Sequence, residues 1–438
     1  MNISDTLRNA GLVGAGGAGF PTYVKTKAEI DYLIGNGAEC EPLLHKDARL
    51  MEAEAPRVVR GMQLMAEATK AKNCVIGIKS KNQGAVDAIR AAAEGTNVTI
   101  HELQDYYPAG DEYELVHEIA KRLIPPKGIP LDVGCVTNNV ETFFNVARAV
   151  DDGVPVTHKW LTITGAVREP ITAVVPIGTT FRECIELAGG STLDEFQMSL
   201  NGIMMGQWET DTEKRVTRTT GGIIVLPVDH HLMVRRSREP AKMHQIGKSA
   251  CDQCTFCTEL CPRYLLGYDV QPHKVMRSLE FTLAGEAMWN KWADLCCSCG
   301  LCTLYACPED LYPKEACDRA KDDLREREDG WSGPMEVEAH PMKEYRKVPV
   351  KSLMKKLNLL KYEHHAPLTE KALEPDMVRI PLKMHIGAPA QPVVAVGDRV
   401  QCGQPIAETP ADALGVTIHA SIDGVVSAVN GEIEIHRS

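Results

Sequence analysis

Over the first 150 positions, short apolar runs alternate with stretches of helical periodicity. The run "NCVIGIKS" (73–80) predicts a strand, "QGAVDAIRAAAEG" (83–95) predicts a helix closing at Gly95, and "NVTIHEL" (97–103) predicts another strand. This alternation predicts an α/β domain, taken as residues 1–157. From Lys159 the period changes. "WLTITG", "MSLNGIM" and "GGIIVLPV" read as strands. Between them, Thr180 and Glu183 have capping-box spacing at the start of "FRECIELAGG", and Gly189 stands where a C-cap belongs. Residues 158–235 are therefore expected to form a small α+β unit. Residues 240–325 hold a cysteine segment with a helical stretch, "PHKVMRSLEFTLAGEAMWNKWADL", at its centre. Residues 326–377 are highly charged and include one basic amphipathic helix candidate, "VPVKSLMKKLNLLKY" (348–362), read as a solvated surface helix rather than a membrane or partner helix. Residues 378–438 return to short strands with Gly and Pro turns.

Length and composition narrow the function class. A chain of 438 residues exceeds one ordinary core. The net charge of −11 and an aromatic content of 5% argue against nucleic-acid binding, which favours a basic field and stacking platforms. The start "MNISDTLRNAGL" lacks a basic segment followed by an apolar run, and no stretch approaches the ~20 apolar residues of a membrane span. A cytosolic location is expected. The 15 cysteines then read as metal ligands rather than disulfides.

Eight of them form a duplicated motif. The first copy is Cys251-x2-Cys254-x2-Cys257-x3-Cys261-Pro262, and the second is Cys296-x2-Cys299-x2-Cys302-x4-Cys307-Pro308. Three closely spaced thiolates can wrap one 4Fe-4S cube, and the cysteine before proline ligates the other cluster in two-cluster ferredoxins. Crossed ligation is expected: Cys307 with Cys251, Cys254 and Cys257, and Cys261 with Cys296, Cys299 and Cys302. Cys297 is then spare, because only one residue separates it from Cys299. Zinc, which also takes four thiolates, is the alternative. Cys40, Cys74, Cys135, Cys184, Cys317 and Cys402 read as plain buried cysteines.

The start "GLVGAGGAGFPTYVK" contains Gly14-x-Gly16-x-x-Gly19, with Glu39 twenty residues beyond. No convincing strand precedes Gly14, so a dinucleotide-binding βαβ unit is not indicated. The glycines still allow close approach of backbone to a phosphate or flat ring. "GAGGAGFPTYVK", "YLIGNGAECEP", "YPAGDEYEL" and "TNNVETFFNV" follow one another in that order. Together they resemble the family of the flavin-bearing protein of respiratory complex I and the RnfC component of the Rnf electron-transport complex. The resemblance implies that Gly14, Gly16, Gly17, Gly19, Lys25, Asn36, Glu39, Asn138, Asn139 and Thr142 surround FMN. It also implies that Phe20, Glu41 and Glu112 face a nicotinamide nucleotide, with Glu41 and Glu112 acting in the reaction.

The same resemblance extends over nearly the whole chain. It implies an FMN-binding α/β domain, a soluble-ligand-binding β-grasp domain, a helical two-cluster ferredoxin domain and a C-terminal barrel-sandwich hybrid. The last is similar to lipoyl and biotinyl domains, but its hairpin "TPADALG" (409–415) has no lysine, so no lipoyl or biotin is expected. This tail is also expected to be dispensable for the flavin. In the Rnf component the barrel-sandwich domain comes first, and here it comes last. That order is similar to the cobalamin-reducing members of the family that serve propanediol utilisation. The expected activity is electron transfer from NADH through FMN and two 4Fe-4S clusters to a corrinoid. The expected partners are cobalamin or a cobalamin adenosyltransferase, with microcompartment shell proteins around them. Other readings are a peripheral electron-transfer component of an Rnf-type complex and a zinc-bound scaffold.

Overall fold

A computed structural model describes residues 2–278 and 288–438. Its first domain is built on a four-stranded parallel sheet in the order Val98–Leu103, Asn73–Lys79, Tyr32–Gly37, Cys135–Asn139. Both strands read from the apolar runs at 73–80 and 98–103 are present, and the helix between them spans Gln83–Ala93, with Gly95 at φ +74° beyond its end. Two helices, Lys46–Thr69 and Val140–Asp151, cover one face. They meet so closely that a Cβ on Gly61 would lie 1.8 Å from the Phe143 carbonyl oxygen, so only glycine fits there.

The second domain is a five-stranded sheet in the order Ile171–Pro176, His158–Gly165, Gly222–Pro227, Phe196–Leu200, Gln207–Glu209. Its helix Phe181–Leu187 opens with the reciprocal capping pair read from sequence. The Glu183 N–H donates to Thr180 Oγ1 at 3.0 Å, and the Thr180 N–H donates to Glu183 Oε2 at 2.8 Å. The cysteine segment folds into short helices and loops. The central helical expectation falls partly on residues 279–287, outside the described residues. The flanks Pro272–Ser278 and Met288–Lys291 are helical.

The basic helix is shorter than its amphipathic pattern suggested. It spans Val350–Lys356, followed by a 3-10 turn at Leu360–Tyr362. Leu353, Met354, Leu357, Leu359 and Tyr362 pack into the core of the second domain, so only the lysine side is solvated. The charged stretch before it is tied down as well. Val348–Pro349 pairs antiparallel with Tyr106–Tyr107, and buried Lys343 meets Glu114 at 3.0 Å. Residues 326–377 thus strap three domains together rather than tether them.

The C-terminal strands form two small sheets, one ordered Met377–Pro381, Glu432–Arg437, Gly424–Val429, Arg399–Val400 and the other Gln391–Pro392, Pro405–Glu408, Ile418–His419. This domain is docked, not pendant. The Ile386 N–H donates to the Gly19 carbonyl at 3.1 Å, the Thr417 N–H to the Arg8 carbonyl at 3.2 Å, and Ser421 Oγ to the Ile177 carbonyl at 2.5 Å. Its apolar residues are continuous with the core of the first domain. The lysine-free hairpin at 409–415 lies against the first helix, where Arg8 donates to the Pro410 carbonyl at 3.1 Å. The expectation that the tail is dispensable loses its physical basis.

Candidate nucleotide site and cluster-ligand loops

In the parallel sheet the chain builds outward from Tyr32–Gly37 to Asn73–Lys79 and Val98–Leu103, then returns to place Cys135–Asn139 on the opposite side. The winding reverses between Tyr32–Gly37 and Cys135–Asn139. Open α/β sheets bind ligands in the crevice at the carboxyl ends beside such a reversal. Asn36 and Asn139 are register partners at that end.

The glycine-rich loop hangs over this crevice. No strand precedes it, as expected; a short helix, Ile3–Asn9, does. The Gly14 N–H donates to the Phe20 carbonyl at 2.8 Å and closes the loop, while Gly16, Gly17 and Ala18 are exposed. Gly16 sits against the Asn139 side chain, at 3.3 Å from where a Cβ would be. Gly17 has φ +109° with nothing within 4 Å of such a Cβ, leaving a bare backbone surface. The Ala15 N–H donates to Thr142 Oγ1 at 3.1 Å, fixing the loop to the helix behind it.

Lys25 lies below the loop. Its ammonium donates to the Thr137 carbonyl at 2.7 Å and to Asn138 Oδ1 at 3.2 Å, and burial pulls its pKa down. Asn138 Nδ2 is buried with no partner. Asn36 Nδ2 donates to the Gly110 carbonyl at 2.9 Å, and Asn139 Nδ2 to Asp47 Oδ2 at 2.8 Å. Glu112 is exposed at the start of the helix Glu112–Ala120 and accepts from Thr137 Oγ1 at 2.7 Å. Phe20 is half-buried beside the glycines. The structure thus brings these residues around one crevice. An orphan amide donor, a buried ammonium and an open glycine cradle fit the phosphate, ribityl chain and flat ring of FMN.

Two acidic residues stand apart. Glu39, at φ +35°, accepts from the Asp47 and Ala48 N–H groups at 3.0 and 3.4 Å, anchoring the start of the helix Lys46–Thr69. Burial, then the neighbouring Asp47, pushes its pKa up to about 8, and its Oε1 has no partner. Glu41 is turned into the second domain. It accepts from the Met204 and Met205 N–H groups at 2.8 and 2.9 Å, and Tyr107 Oη lies 3.5 Å away. Burial raises its pKa.

Sequence reasoning missed a buried charge network beneath the loop. Lys46 contacts Asp47 at 2.5 Å and Glu141 at 3.0 Å. Lys159, from the second domain, also pairs with Glu141 and donates to the Ala15 carbonyl at 3.3 Å. Burial brings Lys159 down to about 8, whereas pairing with two lysines keeps Glu141 ionised below its ordinary value. The only sequence signal was "HKD", which looks like any solvated turn.

The two cysteine loops share one backbone. Gln253 and Thr255 have φ of +61° and +67°, and their equivalents Ser298 and Gly300 have +55° and +82°. That match aligns Cys251 with Cys296 and Cys254 with Cys299, and places Cys297 at the position of Asp252. Cys251, Cys254, Cys257 and Cys307 line a common cavity, and Cys307 is the nearest charge partner of Cys257. Cys261 is instead acted on by Cys297 and Cys296, and Cys302 by Cys296, Cys257 and Cys261. Backbone N–H groups of Ser298 and Leu311 donate to the sulfurs of Cys296 and Cys307, both at 3.3 Å. These thiols and donors fit two four-iron cubes held in crossed fashion. Cys317 is not a bystander, since its thiol hydrogen-bonds with that of Cys296.

Fold and site define a multidomain oxidoreductase carrying FMN and two 4Fe-4S clusters. Comparisons agree: residues 7–148 match the Nuo51 FMN-binding domain, 161–207 the SLBB domain, 250–312 the 4Fe-4S dicluster domain and 358–438 the RnfC barrel sandwich hybrid domain. The chain belongs to the family of cobalamin reductase PduS. It is 42% identical to the Salmonella typhimurium protein of that name over 98% of this chain and 94% of the relative. It is also 34% identical to the RnfC-type component of the proton-translocating ferredoxin:NAD(+) oxidoreductase complex of Clostridium ljungdahlii, over 59% of this chain and 55% of the relative. Among solved structures, an NAD+-reducing [NiFe]-hydrogenase in the H2-reduced state shares the fold, with a TM-score of 0.50 and 21% identity over 74% of this chain and 60% of that one.

Proposed function

We propose that this chain oxidises NADH and delivers the electrons singly to a corrinoid, taking cob(III)alamin to cob(II)alamin and cob(I)alamin. Bound FMN supplies the conversion of a hydride into single electrons, and the two clusters supply one-electron carriers. The protein's own part is positioning. Gly14, Gly16, Gly17, Gly19, Asn36, Asn138, Asn139, Thr142 and Lys25 hold the flavin, with Glu39 fixing the helix beneath it. Phe20 and Glu112 line the open side for the nicotinamide nucleotide, and Glu41 locks the second domain against it. The domains proposed are 1–157, 158–235, 240–325, 326–377 and 378–438.

The observation that carries this reading is the direct join between nucleotide domain and ligand loop: Tyr107 Oη donates to the Cys299 carbonyl at 2.8 Å. The family relationship supports the corrinoid as acceptor. A cobalamin adenosyltransferase as docking partner, and a place inside a microcompartment, belong to the same proposal. Among the described residues no helix is long and apolar enough to cross a membrane. Anaerobic protein mixed with NADH and aquocobalamin should produce the cob(II)alamin spectrum. Ferricyanide reduction without cobalamin reduction, even with an adenosyltransferase present, would favour the second reading. That reading is a peripheral Rnf-type electron-transfer component, which the similarity to the Clostridium ljungdahlii protein supports.

A further inference from the structure

A cluster of basic side chains lies buried where three domains meet, outside the flavin crevice. Arg218, from the second domain, is 2% exposed. Its Nη2 donates to the Thr417 carbonyl at 2.7 Å, and its Nε and Nη1 have no partner. His385 and His419, both from the C-terminal domain, are 8% and 5% exposed. Neither ring nitrogen of His385 has a partner, and Nδ1 of His419 has none. Both histidines feel the charge of Arg218. Arg218 itself is shifted by burial alone, with no carboxylate acting on it.

The surrounding backbone is shaped to admit these groups. A Cβ on Gly11, at φ +76°, would lie 2.6 Å from Arg218 Nη2, and one on Gly415 would lie 2.9 Å from His385 Nε2. The His385 Cα lies 3.4 Å from where a Cβ on Gly19 would be, so the cluster backs onto the end of the glycine-rich loop. A buried guanidinium without a counter-charge is costly, and so is each orphaned donor. The free Nε and Nη1 edge of Arg218 offers donors of the kind that grip an oxyanion.

We propose that Arg218, His385 and His419 form a buried oxyanion site that takes a phosphate group and fastens the C-terminal domain to the back of the nucleotide loop. Arg218 supplies two N–H donors, His385 a third, and His419 Nδ1 serves the same group as donor or as acceptor of its P–OH. The phosphate comes from free inorganic phosphate or from a bound nucleotide, and the two sources are separable.

The test uses the whole FMN- and cluster-loaded protein, purified in a phosphate-free, sulfate-free buffer. Inorganic phosphate should raise its Tm saturably, while chloride at equal ionic strength should not. Arg218→Met should abolish the phosphate-dependent rise. His385→Leu should weaken it, and it serves as the second variant if Arg218→Met fails to fold. If the phosphate belongs to NADH, phosphate should compete with NADH, and His385→Leu should raise the NADH dissociation constant about tenfold, the loss of one hydrogen bond to a charged group. If the ion is free, NADH binding should be unchanged in the variant. A wild-type Tm indifferent to phosphate, with no phosphate released on denaturing the purified protein and no competition with NADH, would overturn the site. A phosphate response equal in wild type and both variants would overturn it too.

Discussion

Tyr107 donates its phenolic proton to the main-chain carbonyl of Cys299 at 2.8 Å, although 192 positions separate them. Tyr107 is 1% exposed and its strand is clamped by Val348–Pro349. The contact fixes a cluster-ligand loop to the nucleotide domain, and Arg263 reinforces it by gripping Asp111 at 2.8 and 3.1 Å.

Tyr107→Phe should cost about 0.5–1.5 kcal/mol, the range for one hydrogen bond, because the ring and its packing stay. The electron paramagnetic resonance signal of the cluster held by Cys299 should shift, and FMN content should stay the same. An unchanged signal would show that the bond does not set the loop's geometry.

Glu41→Ala should leave the Met204 and Met205 N–H groups without their acceptor, at about 1–3 kcal/mol. The loss should appear in denaturant unfolding with and without NADH. If the variant is as stable as wild type but binds NADH poorly, Glu41 acts on the nucleotide and not as an interdomain lock.

Asn138→Leu keeps similar volume and removes the orphan donor at the crevice. FMN affinity should fall by about one to two orders of magnitude, the equivalent of ~1.4–2.7 kcal/mol, with far-UV circular dichroism unchanged. Flavin release on dilution measures it.

Glu39 gives a pH signature. Its folded pKa is raised to about 8, so it binds a proton more tightly folded than unfolded. That contribution is complete below the ordinary carboxylate pKa and is lost as pH rises through about 8. Wild-type stability should therefore fall between about pH 5 and 8 relative to Glu39→Gln, by at most about 1.4 kcal/mol per unit. Parallel curves for the two proteins would assign the pH dependence to the Lys159–Glu141 pair instead.

Cys297→Ser should keep full iron, about eight per chain. Cys307→Ser should perturb the same cluster signal as Cys254→Ser, and Cys299→Ser the other. If Cys307→Ser and Cys299→Ser alter one signal together, each motif holds its own cluster.

Much of this protein is local, and local features were legible in the sequence. The strands at 73–79 and 98–103 follow from runs of β-branched residues, and the helix Phe181–Leu187 from a capping pair three residues apart. The cysteine spacing dictated the cube-binding turns, because each turn closes within a few residues. Glu41 and Glu39 could not be placed that way. Whether a carboxylate faces a ligand, caps a helix or accepts from another domain depends on contacts 8 to 164 positions away. The charge network of Lys46, Glu141 and Lys159 has no periodicity to read, since three elements must meet before the charges do. The basic helix looked solvated because its lysines repeat, yet only the second domain decided that its leucines are buried. The docking of the C-terminal domain on Gly19 was likewise settled by tertiary structure, since a surface's partner is fixed by shape and unsatisfied backbone, neither of which a linear pattern carries.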